Sequence, residues 1–545
     1  MRIRRIKECE LTQRAVVLGL LLVVLGVPVW SVLASWTVMG APEWVIWQHL
    51  SRYVLPQVMG TTLWLGVGVA AGTLVLGVST AALTAAFDFP GKRVWDWALV
   101  LPLAMPAYVT AYAYTDFLQY SGVAQTGLRA WFGWQGRVLP EGRSLGGAVL
   151  VFSLALYPYV YLLVRTAMRQ RMVRLLEAAQ LLGASPWAQW RRVILPLVRP
   201  AAAAGVALAL METLSDFGVV SYFGLQTFTS GIYKAWLSQD NAVAALQLSS
   251  VLLLIVGLVL WVEQRAQAQM RFASTRHAAQ DDGHVQVLRG RAAWGASLLC
   301  ALPVLLGFVL PVAVMLHTLM TDSEASAASA RLFWRWVLNS AQLGLMAAAL
   351  AVALALWLMW LRRTWLAWWP RWGLRALELG YALPGAVVVV GLLWPLQWWA
   401  QSTSAWSPAF WVTGTVLGLI WAYLVRFVPV AMQSVGSAYS QVPATLDDSA
   451  RLLGQDGWSL WHRVHWPLLK RPAWVAGLMV MVEVIKELPV TLVLRPFDHD
   501  TLAVMTYQLA RDERLGEAAL PALALVVVGL LPMVLVTRSL RAKAH

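Results

Sequence analysis

The 545-residue chain is 59% hydrophobic and only 13% charged, with a mean hydropathy of +0.63; a soluble protein carries about a quarter charged residues. An ordinary soluble domain is thereby excluded. The formal charge of +15 does not argue for nucleic acid, because the basic residues lie in loops between apolar runs.

Those runs are about 20 residues long, enough to cross a ~30 Å hydrocarbon core. In chain order they fall near 15–39, 59–86, 95–118, 147–168, 200–222, 244–263, 294–319, 336–361, 374–398, 408–430, 473–495 and 518–537. The first is too long for the apolar region of a cleavable signal, and no small-residue cleavage site follows it, so it reads as the first span. Thirty-two tryptophans suit a chain with many membrane interfaces. With the N-terminus inside, Arg2, Arg4, Arg5, Lys7 and Arg14, the cluster Arg165 to Arg199, Arg265 to Arg291, Arg362 to Arg375 and Arg451 to Arg471 are all cytoplasmic. About 30 of the 42 Lys and Arg then lie inside, which is the positive-inside bias. The expectation is an all-α polytopic membrane protein of about 12 spans with both termini cytoplasmic. Cys9 and Cys300 support neither a disulfide nor a metal cluster.

The chain repeats itself. Residues 177–197, EAAQLLGASPWAQWRRVILPL, match residues 448–468, DSARLLGQDGWSLWHRVHWPL, at an offset of 271. Glu177 meets Asp448, Ala179 meets Ala450, Gly183 meets Gly454 and Pro196 meets Pro467. Each copy sits between the fourth and fifth span of its half. The halves are therefore two six-span units running in the same direction, parallel repeats about an axis along the membrane normal. They divide as 1–263 and 294–545, joined by a polar cytoplasmic linker, 264–293. Within each copy, small residues such as Ala178 and Ala179 on a helical face suit docking into a partner's groove, with the glycine breaking the element into two short helices.

This loop resembles the EAA motif of ABC importer permeases: Glu177-Ala178-Ala179, then Gly183, Val193 at the Ile position, and Leu195-Pro196. The second copy departs from it as Asp448-Ser449-Ala450, Gly454, Val464 and Trp466-Pro467. The EAA loops are placed at 171–199 and 440–471. The resemblance implies a type I importer fold with two MetI-like repeats, and a cytoplasmic ABC ATPase dimer docked on both loops. The segments Pro102 to Val109, Met211 to Gly218, Thr227 to Trp236, Lys486 to Pro496, Asp500 to Ala503 and Arg514 to Leu523 are similar to the fused ferric-iron permeases of the Fbp type. That similarity implies a bacterial inner-membrane location and a periplasmic substrate-binding protein as partner.

Ionisable groups in mid-membrane are costly and ask for a reason. The fifth span of each half carries an acid-x-x-x-acid pair, Glu212 and Asp216, then Glu483 and Glu487, related by the same 271 offset. Spacing of i, i+4 puts both acids on one helix face, so the two faces can present four carboxylates to a central path. Oxygen ligands suit a hard cation, and a transient contact with Fe³⁺ or its small complexes is the expectation, with no firmly bound metal. Lys486 belongs to the same group, and the bland reading is that it neutralises one acid. Tyr108 and Tyr112, one turn apart in the third span, are either weaker oxygen ligands or interface anchors. Pro102, Pro106, Pro384 and Pro489 kink or end helices.

No phosphate-binding Gly-x-x-x-x-Gly-Lys-Ser/Thr, HExxH, GxSxG or CxxC occurs. The chain is expected to be no enzyme and to bind no cofactor, ATP and Mg belonging to the ATPase. Within the same class the cargo alternatives are a polyamine, thiamine or an oxyanion, the facing acids arguing against the last. From other classes, an ion-coupled secondary transporter or a scaffold without transport leaves the paired loops unexplained.

Overall fold

The computed structural model describes residues 2–38, 40–274, 286–321, 329–364, 368–402, 412 and 415–541. Nine continuous helices among them are long and apolar enough to cross a membrane, or eleven when two sharply bent pairs are counted. The first half comprises α1 (Arg2–Ala34), α2 (Ala41–His49), α3 (Leu55–Ala86), α4 (Lys92–Ala98), α5 (Ala107–Leu118), α6 (Val123–Phe132), α7 (Leu145–Leu181), α8 (Pro186–Gln189), α9 (Leu195–Ser215), α10 (Gly218–Tyr222), α11 (Phe228–Tyr233) and α12 (Ala242–Ser274). The second comprises α13 (Arg291–Val304), α14 (Leu310–Thr321), α15 (Ser329–Thr364), α16 (Trp368–Glu378), α17 (Gly385–Ser402), α18 (Val416–Ser440), α19 (Ala444–Leu452), α20 (Gly457–Leu460), α21 (Trp466–Lys486), α22 (Pro489–Leu494), α23 (Leu502–Arg511) and α24 (Leu515–Arg541).

Three of the twelve expected spans take a different form. The third span of each half is not straight. Lys92–Ala104 and Ala107–Phe132 meet at 91°, and Gly373–Ala382 and Gly385–Gln397 meet at 117°. Pro106 and Pro384 stand at the breaks, where the missing N–H and the ring forbid a continuing helix. The fifth span of the second half, α21, has the same 21-residue length as α9, but Lys470, Arg471, Glu483 and Lys486 make it too charged to count as an apolar span. Both fifth spans stop short, at Ser215 and Lys486, and short helices α10 and α22 follow.

The 271-residue offset is visible in local geometry. π-helical turns open both fifth spans, at Trp190–Ile194 and Trp461–His465. Pro158 and Pro429 sit inside α7 and α18. One difference follows from a single residue. Pro443 ends α18 and starts α19 separately, whereas Met172 at the matching position lets α7 run unbroken for 37 residues.

Close packing rests on small residues, as membrane helices require. A Cβ added at Gly68, Gly72 or Gly77 of α3 would press on Val149, Ser153 or Val160 of α7 at 2.1–2.7 Å, and one at Gly205 of α9 would meet the Val160 backbone at 2.6 Å. One buried core runs through both halves, from Tyr108 and Phe152 to Leu488 and Val490. The expected linker begins as helix, since α12 reaches Ser274. Its far end pairs as a two-residue strand, β2 (Gln286–Val287), parallel to β1 (Phe87–Asp88). Residues 275–285 of the linker lie outside the described residues.

Candidate functional site

A cavity of about 150 Å³ lies between the halves, where the bent third spans meet the ends of α9 and α21. Glu212, Asp216, Glu483, Lys486 and Glu487 all line it, together with Tyr108, Tyr159, Tyr381 and Arg426. The two acid pairs expected from sequence are therefore brought to one space.

The acids fall into two kinds. Asp216 and Glu487 follow the last residues of α9 and α21 and cap the short helices beyond. The Val219 N–H donates to Asp216 Oδ1 at 2.8 Å, and the Val490 N–H donates to Glu487 Oε1 at 3.3 Å. These bonds are related by the repeat, residue for residue. Glu487 is also ion-paired with Arg426, and Thr491 Oγ1 donates to its carbonyl at 2.7 Å. Glu212 and Glu483 are the freer pair. Tyr381 donates its hydroxyl to Glu212 Oε1 at 2.7 Å, a bond from the second half to the first. Glu483 is exposed and has no hydrogen bond or ion pair among the described residues. No three His, Cys, Asp or Glu side chains converge as a metal site among the described residues. The four acids share a wall without closing around a point.

The basic groups come from one half only. Arg426 and Lys486 match Ala155 and Ser215 of the first half by the repeat offset, and all four positions line the cavity. Arg426 and Tyr381 were not among the residues singled out from sequence. Arg426 carried a readable signal, a charge in the middle of an apolar span; Tyr381 had none. Tyr108 faces the cavity, whereas Tyr112 turns away, its ring 4.5 Å from Tyr222. Tyr112 lines a smaller, separate pocket with Asp116 and Thr318.

Beyond the cavity, on the side away from the repeated loops, tyrosines cross between halves. The Tyr233 hydroxyl donates to Pro489 O at 2.8 Å, and Tyr507 OH shares a 2.8 Å hydrogen bond with Ser221. Phe217 packs between the two rings, at 4.4 and 5.8 Å.

The repeated loops stand at the opposite end. Glu177, Ala178 and Ala179 occupy the last turns of α7; the side chains of Glu177 and Ala178 lie outside the described residues. Gly183 and Gly454 take left-handed conformations, φ +72° and +74°, where glycine alone carries no steric penalty. The Ala184 N–H donates to Ala179 O at 3.0 Å and the Gln455 N–H to Ala450 O at 2.9 Å, a Schellman closure in each copy. Just before each glycine, two leucines project into solvent: Leu181 and Leu182 are 89% and 86% exposed, Leu452 and Leu453 90% and 80%. Pro196 and Pro467 are exposed beside the π-helical turns.

Asp448 is an exposed residue with a long 3.6 Å pair to Arg451, while Ala450 is buried. The acid that matters structurally is its neighbour. Asp447, 7% exposed, accepts from Arg363 Nε at 2.6 Å and from His465 Nε2 at 3.0 Å. His465 is fully buried, with Nδ1 3.2 Å from the Tyr439 hydroxyl. Arg363 further donates to the carbonyls of Tyr439, Val442 and Pro443 at 3.3, 2.9 and 3.1 Å. Burial pushes the Asp447 carboxyl up, but the bonds from Arg363 and His465 outweigh it and hold it below its ordinary value. In the first half the positions matching Tyr439, Asp447 and His465 hold Met168, Leu176 and Ile194, and Lys92 matches Arg363.

Residues 74–271 match the family described as binding-protein-dependent transport system inner membrane component. Over 529 residues, 96% of this chain and 98% of the relative, the chain is 25% identical to an Fe(3+)-transport system permease protein, FbpB 2, of Haemophilus influenzae. It is 29% identical over 208 residues, 36% of this chain and 89% of the relative, to the molybdenum transport system permease protein ModB of the same organism. A putative 2-aminoethylphosphonate transport system permease protein, PhnU, of Salmonella choleraesuis is 29% identical over 201 residues, 36% of this chain and 70% of the relative. Residues 74–271 thus match a domain of binding-protein-dependent transport system inner membrane components, and they do so in a chain with nine to eleven membrane-length helices among its described residues.

Proposed function

We propose that this chain supplies both halves of the translocation path of an ATP-driven importer, and that its cargo is ferric iron handed over by a periplasmic binding protein. Both termini and the loops 171–199 and 440–471 face the cytoplasm; 223–243 and 497–517 face the periplasm and receive the loaded binding protein. An ATPase dimer docks on the exposed Leu181-Leu182 and Leu452-Leu453 pairs and on the surrounding Glu177 to Gly183 and Asp448 to Gly454. The chain hydrolyses no ATP itself; ATP and Mg act on the partner. ATP drives the cycle by favouring one arrangement of the halves over the other. The tyrosine contacts close the periplasmic side in the arrangement described above.

What carries the reading is the meeting of repeat-related acids from both halves in one cavity, where Glu212 and Glu483 keep oxygens free for a hard cation. The near full-length likeness to an iron permease supports it. Arg426 and Lys486 in the same cavity favour one second reading, an oxyanion, and the relatives include molybdenum and putative 2-aminoethylphosphonate transport system permeases.

The test is uptake of radiolabelled ferric iron into proteoliposomes holding the chain, its ATPase and its binding protein. Wild type is compared with Glu212→Gln/Glu483→Gln, with ATP hydrolysis followed in parallel. Uptake that collapses in the mutant while hydrolysis persists supports an acid-lined iron path. No wild-type iron uptake, alongside molybdate or phosphonate uptake that survives the double substitution, replaces iron by the oxyanion.

A further inference from the structure

The cavity holds four acids and two bases, and the bases are not equivalent. Arg426 is committed: it is ion-paired with Glu487, which also caps α22. Lys486 is not. Its ammonium donates to Leu103 O at 3.2 Å, a carbonyl in the turn Leu101–Ala104 of the opposite half, and it forms no ion pair among the described residues. Glu212 and Glu483 are the acids whose fields act on it. It is thus a cation on a flexible four-carbon stem, held by one backbone bond beside the two carboxylates with the least to hold them.

One further atom marks this space as built for an occupant. The Tyr108 hydroxyl belongs to a cavity-lining residue that is 4% exposed, and it has no hydrogen-bond partner among the described residues. Buried polar atoms are rarely left unpaired. The repeat adds a third observation: Ser215 stands where symmetry expects a second lysine, so the ammonium occurs once.

Resting on the reading of this cavity as a cation path, we propose that the Lys486 ammonium, held on the Leu103 carbonyl, is a tethered counter-charge to Glu212 and Glu483 that an incoming cation must outweigh. An empty acid-lined path in a membrane invites stray cations. A covalently attached positive charge satisfies the carboxylates without being transportable. A cargo of higher charge outweighs it. Lys486 is then a specificity-determining residue: weakly charged competitors gain too little from the acids to enter.

The test uses terbium(III) as a trivalent probe, read by tyrosine- and tryptophan-sensitised luminescence of the full chain in lipid nanodiscs. Wild type is compared with Lys486→Met, Lys486→Gln and Lys486→Arg. Loss of one positive charge beside the site should tighten terbium binding at least about tenfold in both neutral variants, with Lys486→Arg close to wild type. The gain should vanish in Lys486→Met/Glu483→Gln. It should also vanish in Lys486→Met/Ser215→Lys, where the cation is returned from the other half; a merely structural lysine would not be replaced this way. Terbium affinity unchanged in both neutral variants, or a gain that survives Glu483→Gln, overturns the proposal. Iron uptake by wild type decides the cargo separately: a terbium result as expected with no iron uptake keeps the tethered cation and discards iron.

Discussion

Replacing Asp447 by alanine should loosen the second repeated loop and leave the first untouched. Asp447 accepts from Arg363 and from His465 while almost completely buried, and breaking a buried ion pair by removing one partner costs about 3–5 kcal/mol. The lower end applies here, because Arg363 keeps three backbone carbonyls as acceptors. The His465 Nε2–H loses its acceptor, a loss within the same total. A local cost of about 3 kcal/mol corresponds to a roughly hundredfold rise in opening of α19. Hydrogen exchange followed by mass spectrometry in nanodiscs reads this directly at the amides of residues 448–452, with residues 171–181 as the internal control. Asp448→Ala, at an exposed residue, should change exchange by less than about threefold, within the ±0.5 kcal/mol of ordinary surface changes. The sign of the pH dependence follows from the depressed carboxyl. Its stabilisation is complete above the unfolded value of about 3.9 and is lost only as pH falls through the lower folded value. The Asp447 contribution is therefore constant from about pH 8 to pH 5, and any loosening in that interval that persists in Asp447→Ala arises from another group. Exchange of residues 448–452 unchanged in Asp447→Ala refutes the anchoring role.

Gly183→Ala and Gly454→Ala should each strain a left-handed turn by about 1–2 kcal/mol and reduce binding-protein-stimulated ATP hydrolysis more than basal hydrolysis, measured with the reconstituted complex. Leu181→Asp/Leu182→Asp and Leu452→Asp/Leu453→Asp put charges on the exposed leucine pairs proposed as the docking surface; each pair should weaken co-purification of the ATPase, and the quadruple variant should abolish it. Tyr233→Phe/Tyr507→Phe removes two hydrogen bonds between halves, worth about 1 kcal/mol each. It should raise ATP hydrolysis in the absence of binding protein, and unchanged basal hydrolysis would remove these tyrosines from the closed state.

Legibility in the sequence followed the range of the signal. Membrane-length helices, the doubling and the two acid pairs come from local composition and a fixed offset, and the acid pairs do reach one cavity. Pro106 and Pro384 announced breaks, but a proline states where a helix fails and not through what angle its halves meet. Tyr381 reaches Glu212 across 169 residues; no pattern around either residue carries that contact. Arg426 is a charge inside an apolar span, a local signal outweighed by the apolar majority around it. In the second loop, motif register drew attention to Asp448, whereas Asp447 one position earlier faces inward and carries the anchoring. A one-residue step along a helix turns a side chain by about 100°, so a motif aligned on the outer face says nothing about the inner one.

The differences between the halves explain what fusing them accomplishes. In a symmetric pair of identical subunits every substitution appears twice. A lysine opposite Glu212 would come with a second opposite Glu483, and an arginine on Glu487 with one on Asp216, leaving four bases against four acids and no preference for a cation. With neither base, four carboxylates would share one low-dielectric space with no internal counter-charge, at steep desolvation cost. The single chain holds an intermediate composition, four acids and two bases, because Ala155 and Ser215 stand where the second half has Arg426 and Lys486. The same freedom appears at the other end, where Met168, Leu176 and Ile194 answer Tyr439, Asp447 and His465. One loop therefore has apolar residues at these positions, and the other is anchored by a buried ionic network. An unsymmetric charge balance at the cavity and unsymmetric anchoring of the loops are open to halves that differ in sequence, as these do, and closed to a pair of identical subunits.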